Sequence, residues 1–195
     1  MFKQLISSLV GLLVLVTLIL MGINIVFSYP YFEYYSIHTA TLDLLYNNVT
    51  PSELRKLNIK GYFLTPNEIT HLGDVASLIF NSRIVLVILS VISLTLLYRL
   101  KRLRIAITLR SWLWAIFIGG AASTAYAVGG SRMISGFLHP IFFPQGNWVF
   151  DNFSLIRKIY GRAIIEDASV FALGFTIISL ILLTIFVMWQ DYKKL

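Results

Sequence analysis

Four long apolar runs dominate this chain and restrict its fold more than any other feature. They are residues 5–27, 84–100, 112–128 and 170–189. A stretch of about 20 apolar residues matches a hydrocarbon layer about 30 Å thick, so each run reads as a transmembrane helix. A mean hydropathy of +0.79 agrees. The expected fold class is a mainly α membrane protein: four transmembrane helices, with a small extracytoplasmic unit of short helices, loops and short strands. The whole of 1–195 then forms a single membrane domain. The first run is expected to stay as an anchor, because it ends Phe27-Ser28-Tyr29-Pro30 rather than in a small-residue cleavage site.

Charge sets the orientation. The loop between the second and third runs carries Arg99, Lys101, Arg102, Arg104 and Arg110 without an acid. The two ends add Lys3, Lys193 and Lys194 against Asp191, so this side carries all of the formal net charge of +7. Segments 29–83 and 129–169 hold eight basic and eight acidic residues and are neutral. Short cytoplasmic loops collect Lys and Arg. Both termini are therefore expected in the cytoplasm, and the two long segments outside. A basic loop sorted this way serves orientation and anionic lipid, and nucleic acid is not an expected partner.

The outside segments carry local signals of their own. Thr50-Pro51-Ser52-Glu53 and Thr65-Pro66-Asn67-Glu68 both have the capping-box pattern with proline at the first helical position. The first predicts a short helix ending near Asn58. The second predicts a helix from Pro66 through Asp74 toward Phe80. Between them, Lys60-Gly61-Tyr62-Phe63-Leu64 reads as a turn and an extended piece. Gly129-Gly130-Ser131, Pro140, Pro144 and Gly146-Asn147 predict mostly irregular backbone over 134–150. The same stretch holds Phe137, Phe142, Phe143, Trp148 and Phe150, which are costly in a solvated loop and favour packing at the interface. Gly119-Gly120-Ala121-Ala122-Ser123 in the third run reads as a close helix-packing stripe.

Chemistry falls to few residues. The chain has no cysteine, which removes thiolate nucleophiles, disulfides and cysteine metal sites. No serine nucleophile elbow or phosphate loop is present. Two distant histidines without a zincin pattern make a poor zinc site, so neither metal nor cofactor is expected. The spans carry only Asn24 and Tyr126 as notable polar points, which argues against a transporter. His38, His71 and His139 all fall outside. His71 and Asp74 lie three apart on one helical face, where a carboxylate can hold an imidazole tautomer. A surface helix often shows such a pair with no function. His139 precedes Pro140 in the aromatic stretch and by itself reads first as a packing histidine.

Two stretches carry a resemblance. Glu68-Ile69-Thr70-His71-Leu72-Gly73-Asp74-Val75, and Gly136-Phe137-Leu138-His139-Pro140-Ile141-Phe142-Phe143 running into Gly146-Asn147-Trp148-Val149-Phe150-Asp151, together resemble the bacterial lipoprotein intramolecular transacylase family. After Asp151 the likeness weakens: Ser154 stands where an acid is expected, and the region near Gly161 has no proline. The resemblance implies an acyltransferase in the bacterial plasma membrane. Its substrate is a diacylated lipoprotein, and the sn-2 acyl chain moves to the α-amine of the N-terminal cysteine. On this reading His71 and His139 are catalytic with Asp74 orienting. Asn147, Trp148, Phe142 and Phe143 bind substrate, and membrane lipids surround the spans. The alternative is a non-catalytic membrane module binding a lipid or protein partner through the aromatic outer segment. A meeting of His71 with His139 separates the two.

Overall fold

Helix α1 (Phe2–Ser28) forms the axis around which the other long helices are arranged. The computed structural model describes residues 2–28, 56, 58–59, 62–146, 149–150, 154–159 and 162–192. The first capping box at Thr50 and His38 lie outside the described residues. Strands β1 (Asn58–Ile59) and β2 (Tyr62–Phe63) pair antiparallel, with Asn58 opposite Phe63 and Ile59 opposite Tyr62. They lead into α2 (Pro66–Arg99). A 3-10 turn (Lys101–Leu103) joins this to α3 (Arg104–Phe142). Last come the short α4 (Leu155–Ile159) and α5 (Arg162–Tyr192). The four long helices are long and apolar enough to cross a membrane.

The predicted helix from Pro66 and the second apolar run are one continuous α2 of 34 residues. Nothing in Asn81-Ser82-Arg83 breaks it, and the Ser82 hydroxyl bonds back to the Ile79 carbonyl at 2.7 Å. At 1.5 Å per residue α2 is about 51 Å long, against about 30 Å of hydrocarbon. The helix is thus longer than one crossing needs, and Glu68, Asp74 and Arg83, its charged residues before Arg99, all lie in its first 18 residues. The capping box is present in full: Thr65 Oγ1 accepts from the Glu68 amide, and Glu68 Oε2 accepts from the Thr65 amide at 2.7 Å.

α3 departs from expectation in a second way. The stretch 134–150 is helical as far as Phe142 rather than mostly irregular. The glycine signal is real, since Gly130 adopts φ 63°, ψ −166° and kinks the helix. That backbone region is open essentially to glycine alone. Beyond the kink the helix resumes and tolerates Pro140, because the carbonyl that loses its donor belongs to Gly136, an exposed residue.

α1 packs against α2, α3 and α5, and α3 packs against α5. Contact is closest at two glycines of α1. A Cβ on Gly11 would sit 2.8 Å from Arg110 Cβ and 2.9 Å from the Ile107 carbonyl oxygen. One on Gly22 would sit 2.9 Å from the Ala172 carbonyl oxygen. Without a hydrophobic drive between helices in lipid, such backbone approach and interhelical hydrogen bonds hold a bundle together. Ser111 Oγ donates to the Gly11 carbonyl at 2.9 Å, and Thr17 and Ser93 share a hydrogen bond at 3.1 Å. The expected stripe at Gly119–Ser123 makes no close helix contact at its glycines among the described residues, and residues 120–123 are exposed. A Cβ on Gly119 or Gly120 would meet nothing within 4 Å. Trp112 and Trp114 turn their indole N–H groups inward, onto Thr184 Oγ1 at 3.0 Å and the Ser8 carbonyl at 3.2 Å.

Val10, Val14 and Ile107 form the buried core of the bundle, toward its basic end. There Arg104 closes α2 by donating to the Leu97 carbonyl at 2.7 Å and bonds Gln190 of α5. A second buried set, Leu64, Ile69, Leu72, Phe143, Leu155 and Ile156, lies at the opposite, histidine-bearing end.

Candidate functional site

The first three turns of α2 present Glu68, His71 and Asp74 at three-residue spacing, which brings all three toward one side of the helix. Each is met by a group from the other outside segment. His71 is buried, with 7% of its surface exposed, and its Nδ1 is shielded from solvent. The resumed part of α3 delivers His139 beside it. The two imidazole centroids are 6.4 Å apart, with planes inclined by 18°. Phe143, just past the end of α3, lies 4.6 Å from the His71 centroid and 5.8 Å from that of His139. Phe150 places its ring 5.2 Å from His71 at 66°. Two histidines 68 residues apart in sequence thus share an aromatic pocket, at a distance that one water or one small polar group of a ligand spans.

Asp74 Oδ2 accepts from Gln145 Nε2 at 2.6 Å, a contact between the two outside segments. The spacing-based reading gave Asp74 the task of orienting His71. The contact to Gln145 shows its carboxylate fastening the turn after α3 to α2. That turn runs through Gly146 at φ 75°, whose amide bonds to the Phe143 carbonyl at 3.1 Å.

Glu68 does more than cap. It is 1% exposed, and its Oε1 accepts from Ser154 Oγ at 2.6 Å and from the Ile156 amide at 3.1 Å. Burial pushes the carboxyl pKa up, but hydrogen bonds from Ser154, Thr65 and Ile156 outweigh it and hold the pKa below its ordinary 4.5. The group is therefore a fixed carboxylate. Ser154 stands where the resemblance leads one to expect an acid. Here its hydroxyl both donates to Glu68 and accepts from the Arg157 amide at 3.4 Å, starting α4.

Of the residues expected to bind substrate, Phe143 sits at the histidine pair, while Phe142 next to it is half exposed. Asn147 and Trp148 lie outside the described residues. Sequence reasoning passed over Phe150 as one aromatic among several, and took Glu68 for a helix cap alone. Among the described residues no group of three or more His, Asp or Glu is placed to hold a metal ion.

Four helices long and apolar enough to cross a membrane thus carry two histidines that meet in an aromatic pocket. Residues 5–160 match the sequence model of the lipoprotein intramolecular transacylase family, Lit, and the chain belongs to that family. The match takes in α1, α2, α3, α4 and both histidines. It is therefore an acyltransferase. No curated protein and no solved structure matches the chain.

Proposed function

We infer that this protein moves the sn-2 acyl chain of a diacylglyceryl-modified lipoprotein to the α-amine of its N-terminal cysteine, leaving a lyso-form lipoprotein. The observation that carries the reading is the 6.4 Å separation of His71 and His139 in a common aromatic pocket. Family membership supports acyl transfer within a lipoprotein in general.

The chemistry asked of the site is modest. Amine and ester belong to one bound molecule, so orientation alone can supply about 7–11 kcal/mol of the barrier. The amine nitrogen attacks the ester carbonyl and a tetrahedral intermediate forms. His71 accepts the proton that the nitrogen sheds. Collapse of the intermediate breaks the carbonyl–glycerol oxygen bond, and His139 donates a proton to that oxygen. An N-acyl amide and a glycerol hydroxyl result, and a proton passing from His71 to His139 restores the pair. No covalent enzyme intermediate is needed. An α-amine with a pKa of about 7.7–8.0 is matched to an imidazole acceptor.

Placement fits the same scheme. The reacting atoms of a lipidated substrate sit just above its own acyl tails, and lifting those tails out of the bilayer costs about 0.8 kcal/mol per methylene. The catalytic groups must meet the substrate near the surface, where α2 emerges. The +7 basic side faces the cytoplasm and the histidines face outward. The binding-module alternative required no meeting of His71 with His139, so their convergence counts against it. The test is mass spectrometry of the N-terminal peptide of a reporter lipoprotein, made with and without this protein. Acyl transfer to nitrogen only when the protein is present is expected. Its absence ends the reading.

A further inference from the structure

The contacts around Glu68 give this residue a task that capping α2 does not require. It lies one helical turn before His71, is 1% exposed, and uses both carboxylate oxygens on protein donors. Oε2 receives the Thr65 amide and belongs to the start of α2. Oε1 receives Ser154 Oγ and the Ile156 amide and belongs to the other outside segment. From there a closed path leads back to the pocket. Arg157, in the helix that Ser154 starts, donates through Nη1 to the Phe150 carbonyl at 3.2 Å, and the Phe150 ring lies 5.2 Å from His71.

We propose that Glu68 is a positioning residue for acyl transfer: by clasping Ser154 and the Ile156 amide it fixes the Phe150 arm against His71 and so sets the mutual placement of the two imidazoles. This rests on the acyl-transfer reading of the histidine pair. Glu68 does not itself handle the substrate or its protons, since both of its oxygens are occupied and buried. A carboxylate is needed because three donors point at it from opposite sides. A carboxamide presents one oxygen only, and whichever way it turns, its NH2 group faces either the Thr65 or the Ile156 amide, donor against donor. The loss would reach the chemistry through geometry, where a displacement of about 1 Å can cost about 100-fold in rate.

The clasp and the cap separate cleanly by mutation. Ser154→Ala removes the clasp hydroxyl and leaves the α2 capping box whole, whereas Thr65→Ala weakens the cap and leaves the clasp. The full-length protein in detergent micelles is assayed for lyso-product with a synthetic lipopeptide bearing an N-terminal S-diacylglyceryl cysteine. Ser154→Ala and Glu68→Gln should each lower kcat by about 10- to 100-fold with KM within about twofold, and Ser154→Thr should restore most of it. Thr65→Ala should keep kcat within about threefold. His71→Ala runs beside them. If His71→Ala is inactive while Ser154→Ala and Glu68→Gln turn over like the parent, the clasp has no positioning role and the proposal falls, with the histidine site intact. If Thr65→Ala is as damaging as Ser154→Ala, Glu68 only starts α2 and the proposal also falls. Full activity in His71→Ala overturns the acyl-transfer reading instead. Should Glu68→Gln fail to fold, the Ser154→Ala and Ser154→Thr pair decides alone.

Discussion

The two ends of the molecule are assembled by different means. Toward the basic end, α1 is gripped by backbone approach at Gly11 and by hydroxyls that bond to carbonyls across helices. At the histidine end, two carboxylates of α2 and a set of aromatic rings gather the other outside segment. The contrast follows from the solvent each end meets. Lipid offers helices no hydrophobic gain for associating, so small residues and shared hydrogen bonds decide the packing. Near water, a buried carboxylate with three donors is tolerable, and apolar rings gain by leaving the solvent. One end fixes the scaffold and the other fixes the spacing of the two histidines.

Mutations that strike one end and spare the other test this division. The largest effect should come from the pocket: His71→Ala or His139→Ala should lower lyso-lipoprotein formation by about 10²–10⁴-fold, with the protein still inserted and accumulating. Residual activity near the parent level in either variant would detach that histidine from the chemistry. Next, Gly11→Val should destabilise the bundle by about 1–3 kcal/mol, because its side chain has no space against Ile107 and Arg110. Gly119→Ala, whose Cβ meets nothing among the described residues, should be silent. Thermal unfolding in detergent distinguishes them, and equal midpoints would break the assignment of the close contact to α1.

A smaller effect is expected from the carboxylates at the histidine end. Asp74→Ala should loosen the Gln145 tie, which is exposed, at a cost of about 1 kcal/mol or less. A larger loss of turnover than that energy explains would return Asp74 to a direct role at His71. The smallest effect is on pH dependence. Glu68 has a pKa below 4.5 in the folded protein, so its stabilisation is complete above about pH 4.5 and is lost only as pH falls through that lowered value. The difference in unfolding midpoint between the parent and Glu68→Gln should stay constant from pH 7 to 5 and shrink below 4.5. A difference that already shrinks at pH 6 would mean that the clasp is not a fixed carboxylate.

Much of this was legible in the chain, for identifiable reasons. The spans are visible because hydropathy integrates over about 20 residues and needs no partner. The start of α2 is visible because Thr65, Pro66 and Glu68 specify a helix within four residues. What the sequence concealed are pairings at a distance. Glu68 reads as a cap because its cap partner is three residues away, while Ser154 is 86 away. Gly11 and Gly22 look unremarkable beside the run at Gly119–Ser123, yet the first two make close contacts, and Gly119 and Gly120 make none among the described residues. Small residues permit approach without specifying what approaches. The irregular backbone expected over 134–150 begins only after Phe142, because the carbonyl that Pro140 orphans is on an exposed residue and the helix absorbs the proline.

The two histidines also differ in how they are mounted. His71 stands on α2, a post with no joint from Pro66 to Arg99. His139 rides on the arm of α3 that lies beyond Gly130, a point held at φ 63°, ψ −166°. A side chain at Gly130 would strain that conformation by about 1–3 kcal/mol and press the arm toward a straighter path. The geometry of the pocket is thus that of a fixed jaw and a hinged jaw. The bite between them then depends on Gly130, nine positions before the imidazole that it carries, as well as on the Glu68 clasp.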